Sequence, residues 1–376
     1  MSSARERRKR RQERQAMATK QGRSNRQVAE EARFKAPSIE IPGARWLVAI
    51  PAAGLMLLGV ILALRFINPP DEVAPPNAIW LNSAWTYAER STEDLAQLTI
   101  DLSDNDVGTI FLYVSSLRSD NTWSGRESGN NQFTEVEPTI ETLLTQLRAT
   151  YPNVRVYAWV EVNARAPQYR MDDLQVQNTI ANFSQRMISQ LEFDGVLLDV
   201  KPIFEENEDY ISLLRTVRRE IGIDTQLLVA VPADLTPSGT TLNLPPFIAP
   251  GTEWSAEYKQ RVALLANQIV ILAYNSYQTD PVDYIQWVTY QVESYIEVLS
   301  AIESNTTILV SVPNYDDGSD AHDPDIESLA ASLDGVARAR TALDETTTPL
   351  LTGVAIYTDN LLSNEEWRVY TERWLR

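Results

Sequence analysis

The chain has 376 residues, room for one large α/β domain, and 44% of them are hydrophobic, which is ample for a core. It contains no Cys, which excludes disulfides, thiolate metal sites and a cysteine nucleophile. A single histidine, His322, excludes clusters of several His ligands and disfavours a Ser-His-Asp triad. We therefore expect no metal ion and no other cofactor.

Charge is divided unequally along the chain. Residues 1–45 carry 13 Lys and Arg against 5 Asp and Glu, whereas residues 46–376 carry 20 basic and 46 acidic residues. We expect no nucleic acid partner for the acidic part, because phosphate contacts need Lys and Arg. We interpret residues 1–45 as a basic, disordered cytoplasmic tail, with a patch for nucleic acid or anionic lipid as the alternative.

Residues 46–67 are predicted to form a transmembrane helix. The stretch Trp46–Leu64 has 19 uncharged residues between Arg45 and Arg65, close to the roughly 20 apolar residues that span a bilayer. The basic residues before it predict a cytoplasmic N-terminus and an exported C-terminal domain. We therefore expect a single-pass plasma-membrane protein, with residues 68–77 as a Pro-rich linker.

Strand-like and helix-like runs alternate from residue 78 to residue 376, which predicts one parallel α/β domain. Eight consecutive units favour a (β/α)8 TIM barrel over the alternative, a doubly wound open sheet. The predicted strands are Ala78–Leu81, Thr109–Val114, Val154–Val160, Gly195–Val200, Leu227–Val231, Gln268–Ala273, Thr307–Val312 and Gly353–Tyr357. Predicted helices include Thr139–Ala149, Asn178–Leu191, Tyr210–Ile221, Ile326–Ala342 and Asn364–Trp374.

The fourth predicted strand lies in the segment Phe193–Glu206, which reads FDGVLLDVKPIFEE. Side chains alternate across a strand, so Leu197, Asp199 and Lys201 share one face. In a barrel this face points inward, and the catalytic mouth lies where the strands end. Asp199 and Lys201 should therefore face that mouth and contact each other.

This segment resembles the fourth-strand signature of family 18 glycoside hydrolases, the chitinase-like barrels, whose pattern is D-x-x-D-x-D-x-E. Asp194 and Asp199 match its first and third acids. Leu197 stands at the second acid, and Lys201 stands where the catalytic Glu belongs. In the family that Glu protonates the leaving oxygen while the substrate's acetamide attacks.

The resemblance continues along residues 78–376. Tyr274 and Asn275 lie where the family has M-x-Y-D, and Pro281–Val288 is similar to the spore-cortex-lytic subgroup. Tyr315 matches the Tyr of G-x-P-x-Y, and Tyr357 stands where a Trp forms the floor of the sugar site. The S-x-G-G signature of the third strand is absent, and Ala158-Trp159-Val160-Glu161 stands there instead.

The resemblance implies a glycan site, and Lys201 limits its chemistry. An ammonium group is a poor proton donor at neutral pH, so we interpret the barrel as binding an amino-sugar polysaccharide, such as peptidoglycan or a chitin-like chain, without the usual catalysis. The residues expected at catalytic positions are Asp199, Glu161 and Tyr274. Those expected to bind substrate are Lys201, Trp159, Asn275, Tyr357 and Tyr315.

Three alternatives stay open at this point. The chain is an active glycoside hydrolase if another acid, first of all Glu161, replaces the missing one. It is an envelope scaffold if the barrel binds another protein. Lys201 forms a Schiff base if burial lowers its pKa, although Asp199 beside it opposes this.

The acidic loop before Glu327 lacks calcium-loop spacing, so we expect Asp323 or Asp325 to cap the next helix.

Overall fold

The computed structural model describes residues 75–126, 130–165, 168–235, 253–358 and 361–376. The predicted tail 1–45, the predicted membrane helix 46–67 and most of the linker 68–77 lie outside these ranges. Within them, no helix combines the length and apolar character that crossing a membrane requires.

Eight parallel strands close into a barrel in which each strand pairs with its neighbours in chain order. This ring confirms the predicted barrel over the open sheet, and each predicted strand overlaps an observed one. The strands are β1 (Asn77–Leu81), β2 (Val107–Leu117), β3 (Arg155–Asn163), β4 (Gly195–Lys201), β5 (Gln226–Pro232), β6 (Gln268–Leu272), β7 (Thr307–Asn314) and β8 (Leu351–Thr358).

One α-helix follows each strand in the described part of the chain. The helices are α1 (Thr92–Asp104), α2 (Phe133–Thr150), α3 (Leu174–Ser189), α4 (Glu208–Ile221), α5 (Ala256–Ala263), α6 (Pro281–Ser300), α7 (Leu329–Ala342) and α8 (Asn364–Tyr370). Short 3-10 turns occur at Ser83–Trp85 and Thr348–Leu350, and a π-helical turn at Thr371–Leu375 follows α8.

Polar caps fix where the helices begin. Most N-caps are Ser, Asn or Asp side chains that accept a backbone N–H of the first turn, as Ser91 does at α1 and Asn207 at α4. The prediction for α7 was wrong, because its cap is Ser328, which accepts from the amide of Ala331. Asp323 instead accepts from the amide of Asp325 within the preceding loop.

The strands separate two hydrophobic cores. Inward-facing side chains fill the barrel, with bulky aromatic rings from β1, β2 and β3, among them Trp80, Phe111 and Trp159. Outward-facing side chains pack beneath the helices, as Val196 and Leu198 of β4 do. Leu197, between these two, belongs to the interior core, as the alternation of a strand requires.

Gly195 lets β4 pack closely at its start. A Cβ there would lie 2.5 Å from the carbonyl oxygen of Gln226 and 2.7 Å from the ring of Tyr157. A larger residue at this position would displace β5 or that ring, so glycine is what allows β4 to pack this closely here.

Candidate functional site

Two carboxylates and one ammonium meet at the carboxyl ends of β3 and β4. The strand register places Glu161 beside Asp199. The Nζ of Lys201 lies 3.0 Å from Oδ2 of Asp199 and 3.8 Å from Oε1 of Glu161. The Asp199 side chain is only 4% exposed, whereas that of Lys201 is 51% exposed. The predicted contact between Lys201 and Asp199 is present, and Glu161 completes a charged trio.

Trp159 orients the carboxylate of Asp199 through a hydrogen bond. Its Nε1 donates to Oδ2 of Asp199 at 3.2 Å. The indole is 4% exposed and packs edge-on against Trp80, with ring centroids 4.8 Å apart. In this conformation Trp159 therefore orients Asp199 and offers little surface to a ligand.

The charge of Lys201 is stabilised by its neighbours. Burial works to lower the pKa of Lys201, but the carboxylates of Asp199 and Glu161 outweigh it and raise that pKa above its ordinary value. The amine therefore stays protonated at neutral pH. A Schiff base needs the neutral amine, so this direction argues against Schiff-base chemistry.

The trio sets one cation against both candidate acids. A general acid must hold a proton that it can deliver to the leaving group. Lys201 touches both candidate acids, Asp199 and Glu161. The cation thus stands between the two groups that acid–base cleavage would require.

Three tyrosines form a half-buried cluster beside the trio. The ring centroid of Tyr357 lies 5.2 Å from that of Tyr274 and 5.7 Å from that of Tyr315. Tyr357 also contacts the interior rings of Trp80 and Trp159. Burial, followed by the nearby Tyr357 and Asp199, raises the pKa of Tyr274 well above its ordinary value, so its phenol stays neutral and able to donate a hydrogen bond.

A cavity of about 340 Å³ opens between the ends of β4, β5 and β6 and contains part of this site. Asp199 and Lys201 line one wall, and Tyr274 and Asn275 line another. Most of the remaining wall is apolar: Ile203, Phe204, Pro232, Leu235, Leu272 and Tyr277. Sequence reasoning missed most of these apolar residues, because a hydrophobic residue that lines a cavity at a strand end looks the same in sequence as a core residue.

Buried Glu327 holds the loop that carries Asn275. Its carboxylate accepts the backbone N–H groups of Asn275 at 2.9 Å and Ser276 at 2.7 Å, and lies 2.6 Å from Nδ1 of His322. Asn275 is thereby held in a left-handed conformation, with φ of 58°. The imidazole of His322 stacks on Tyr315 with ring centroids 4.2 Å apart. Sequence reasoning missed this role of Glu327, because the pattern of the acidic loop indicated only a helix N-cap.

All eight predicted site residues lie at the same end of the barrel. Glu161, Asp199, Lys201 and Trp159 are joined by polar contacts. Tyr274, Tyr315 and Tyr357 are joined by ring contacts, and Asn275 lies in the cavity beside Tyr274. No group of three or more metal-binding side chains occurs among the residues that the structure describes. The catalytic and binding roles assigned to these residues stay predictions.

Known proteins resemble this chain in fold. No family model matches it, and no curated protein matches it in sequence. Similar solved structures include the C-terminal domain of a proposed chitinase from Desulfitobacterium hafniense DCB-2, with 10% identity and a TM-score of 0.52 over 81% of this chain and 100% of that one.

Two further structures cover most of the chain. A proposed chitinase A from Streptomyces coelicolor has 13% identity and a TM-score of 0.50 over 80% of this chain and 97% of that one. The spore cortex-lytic enzyme SleL from Bacillus cereus has 10% identity and a TM-score of 0.49 over 79% and 74%. At these identities, the two structures with TM-scores of 0.50 and 0.52 support the barrel fold alone.

Proposed function

We propose that this chain is a chitinase-like barrel that binds an amino-sugar polysaccharide, either peptidoglycan or a chitin-like chain, without cleaving it by the family 18 route. The observation that carries the proposal is the position of Lys201. In the motif that the fourth strand resembles, Lys201 stands at the position of the proton-donating Glu, and its Nζ lies 3.0 Å from Oδ2 of Asp199. An ammonium there neutralises Asp199 and supplies no suitable proton donor.

The shape of the mouth supports ligand binding. Its volume of about 340 Å³ falls within the roughly 300–1,000 Å³ typical of small-ligand sites. Tyr274 and Tyr277 line it, and Tyr357 lies against Tyr274. Sugar rings present apolar C–H faces that pack on aromatic rings, while Lys201 and Asn275 provide polar contacts for hydroxyl and amide groups.

Hydrolysis is the second candidate function, and one observation favours it. Glu161 and Asp199 are neighbours across the register of β3 and β4 at the mouth. Retaining glycosidases use two carboxyl groups about 5–5.5 Å apart. If a bound glycan displaced Lys201 from Glu161, Glu161 would be free to act as the general acid.

Binding and cleavage can be measured on one ligand. Titration calorimetry of the full-length chain with an N-acetylglucosamine hexamer should show binding, and chromatography of the same mixture should show no shorter products. Tyr357→Ala should weaken binding by about 1–3 kcal/mol through loss of aromatic contact area. Tyr357→Phe, which keeps the ring, is the matched control and should bind nearly as the parent does.

Each other outcome selects another function. Cleavage that Glu161→Gln abolishes and Lys201→Ala preserves would establish the hydrolase with a relocated acid. No binding to any amino-sugar chain, with folding intact by circular dichroism, would overturn the proposal and favour the envelope scaffold that binds a protein.

We also propose that residues 46–67 anchor the chain in the plasma membrane and that the barrel is extracytoplasmic. The 19-residue uncharged stretch supports the anchor, and the basic excess in residues 1–45 supports this orientation. A cell-wall glycan would then be within reach of the barrel.

A further inference from the structure

Two residues that line the mouth cavity have an unfavourable backbone conformation. Asn275 and Tyr277 both lie in the left-handed region, each with φ of 58°, and both line the cavity. Asn tolerates this region, whereas a bulky aromatic residue rarely adopts it. Such strain persists only where the surrounding structure imposes it, and it clusters at ligand sites. Residues 275–277, which we call the cavity turn, are therefore held by contacts from elsewhere in the fold.

The connection after β7 (residues 315–328) holds the cavity turn through four hydrogen bonds. The carboxylate of Glu327 accepts the amides of Asn275 at 2.9 Å and Ser276 at 2.7 Å, and also the hydroxyl of Ser276 at 2.5 Å. The carbonyl oxygen of Ala321 accepts the amide of Tyr277 at 3.0 Å. All three backbone N–H groups of the turn thus donate to this connection, and two of the three depend on one carboxylate.

His322 connects Glu327 to a third residue of the site. Its Nδ1 lies 2.6 Å from Oε2 of Glu327, and since a carboxylate only accepts hydrogen bonds, Nδ1 must be the donor. Nε2 of the same ring is buried and has no partner among the residues that the structure describes, so a proton there would be left unpaired. The ring stacks on Tyr315 with centroids 4.2 Å apart. One imidazole therefore supports both Glu327 and Tyr315.

We infer that Glu327 and His322 are positioning residues for the glycan site. Glu327 holds Asn275 and Tyr277 in the conformation that lines the cavity, and His322 supports Glu327 and Tyr315 together. Both side chains are at most 1% exposed, so they act through the residues that they hold. Groups that are fixed before binding lose less entropy when a ligand arrives. The inference rests on the proposed function, since it concerns the same site.

Glu327→Gln in the full-length chain tests this role. The variant replaces one acceptor oxygen by an NH₂ group, which then faces N–H groups that are themselves donors. The cavity turn should lose its fixed conformation while every residue that lines the cavity is kept. Titration calorimetry should show at least about tenfold weaker binding of the N-acetylglucosamine hexamer, the effect expected when buried donors lose their acceptor.

Thr306→Val is the matched control for a general loss of stability. Thr306 is 1% exposed, and its hydroxyl donates to the carbonyl oxygens of Ala263 at 2.7 Å and Ala266 at 3.0 Å, just before β7 and at the opposite end of the barrel from the mouth. This variant also removes buried hydrogen bonds but leaves the cavity turn intact. Its affinity for the hexamer should stay within about twofold of the parent's, because distant sites act independently. Unchanged affinity in Glu327→Gln, or an equal loss in both variants, would overturn the positioning role.

The single histidine gives a second readout that decides the question even if Glu327→Gln does not fold. Isotopically labelled histidine yields ring signals from His322 alone, because the chain contains no other His. In the parent these signals should place the proton on Nδ1, and saturating hexamer should shift them, because Tyr315 and Asn275 would contact the ligand. A proton on Nε2, or ring signals that do not respond to a hexamer bound in calorimetry, would contradict the inference. If the hexamer does not bind the parent at all, the proposed function fails, and the positioning role fails with it.

Discussion

At the scale of single residues, Lys201 decides what the site can do. Its ammonium is held by Asp199 at 3.0 Å and by Glu161 at 3.8 Å, with half of the side chain exposed. The same geometry that would obstruct a general acid provides a fixed donor for a ligand. Under the proposed function, a cation at the position where the resembled motif has a carboxylate serves to bind a ligand and does not deliver a proton.

The pH dependence of stability tests the state of Lys201. Its pKa is raised in the folded chain, so its stabilising contribution should be fully present below the ordinary lysine value of about 10.5 and lost only above it. The stability difference between the parent and Lys201→Met should stay constant from about pH 6 to pH 9. We expect about 1–2 kcal/mol, less than for a fully buried pair, because solvent screens the exposed half.

Urea unfolding at several pH values measures this difference, with Lys201→Arg as the charge-preserving control. A difference that falls between about pH 6 and pH 9 would mean that the pKa of Lys201 is lowered. Such a result would reopen the Schiff-base alternative.

Sequence reasoning located this site through local alternation. Asp199 and Lys201 were placed on one face because they are two residues apart on a strand, and their contact is present. The contribution of Glu161 to the trio was not predicted, because it depends on the register between β3 and β4. Glu327 was missed for the same reason, since its partners Asn275 and Ser276 lie more than 50 residues away.

At the scale of elements, a buried ion pair holds the connection between β5 and α5. The carboxylate of Asp234 accepts the amide of Trp254 at 3.0 Å and pairs with the ammonium of Lys259. Both charged side chains are at most 2% exposed. Lys259 also donates to Ser294 of α6 at 2.6 Å. The pair thus joins both ends of this connection to the helix layer behind the mouth.

Breaking this pair should be costly. Lys259→Met leaves the buried carboxylate of Asp234 without its cation, and we expect a loss of about 3–5 kcal/mol in the free energy of unfolding. Urea unfolding provides the measurement. The double variant Asp234→Asn with Lys259→Met should recover part of the loss, because no buried charge is left unpaired. If Lys259→Met lowers the free energy of unfolding by less than about 1 kcal/mol, water reaches Asp234 and the ion pair contributes little to stability.

Element positions followed from the sequence more readily than element ends. Strands buried on both faces give short apolar runs, which is why all eight could be recognised. Helix α2 starts at Phe133, six residues before the predicted Thr139, and includes Pro138 in its second turn. Proline rules place such a residue at a helix start. Here the packing of Phe133 and Val136 into the outer core extends the helix in front of it.

At the scale of the whole molecule, the architecture follows from the number of strand–helix units, whereas the composition of the mouth depends on residues that only the fold brings together. Eight strand–helix units were enough to predict the closed ring that the structure shows. The residues around the mouth could not be predicted with equal clarity, because they come from strand ends spread from Glu161 to Tyr357. Only closure of the barrel brings those strand ends together.

The unequal charge along the chain also predicts the orientation of the protein across the membrane. Residues 1–45 carry a basic excess and residues 46–376 an acidic excess, on either side of the uncharged stretch Trp46–Leu64. Since basic flanks stay in the cytoplasm, the barrel should be exported. The chain has no Cys, so Lys20→Cys and Ile223→Cys each introduce a single site for labelling, the second at a side chain that is 82% exposed.

An impermeant thiol reagent on intact cells should label position 223 and should reach position 20 only after lysis. Labelling of position 20 alone on intact cells would reverse the orientation and remove a cell-wall glycan as the ligand. Recovery of the full-length chain in the soluble fraction after lysis would remove the anchor.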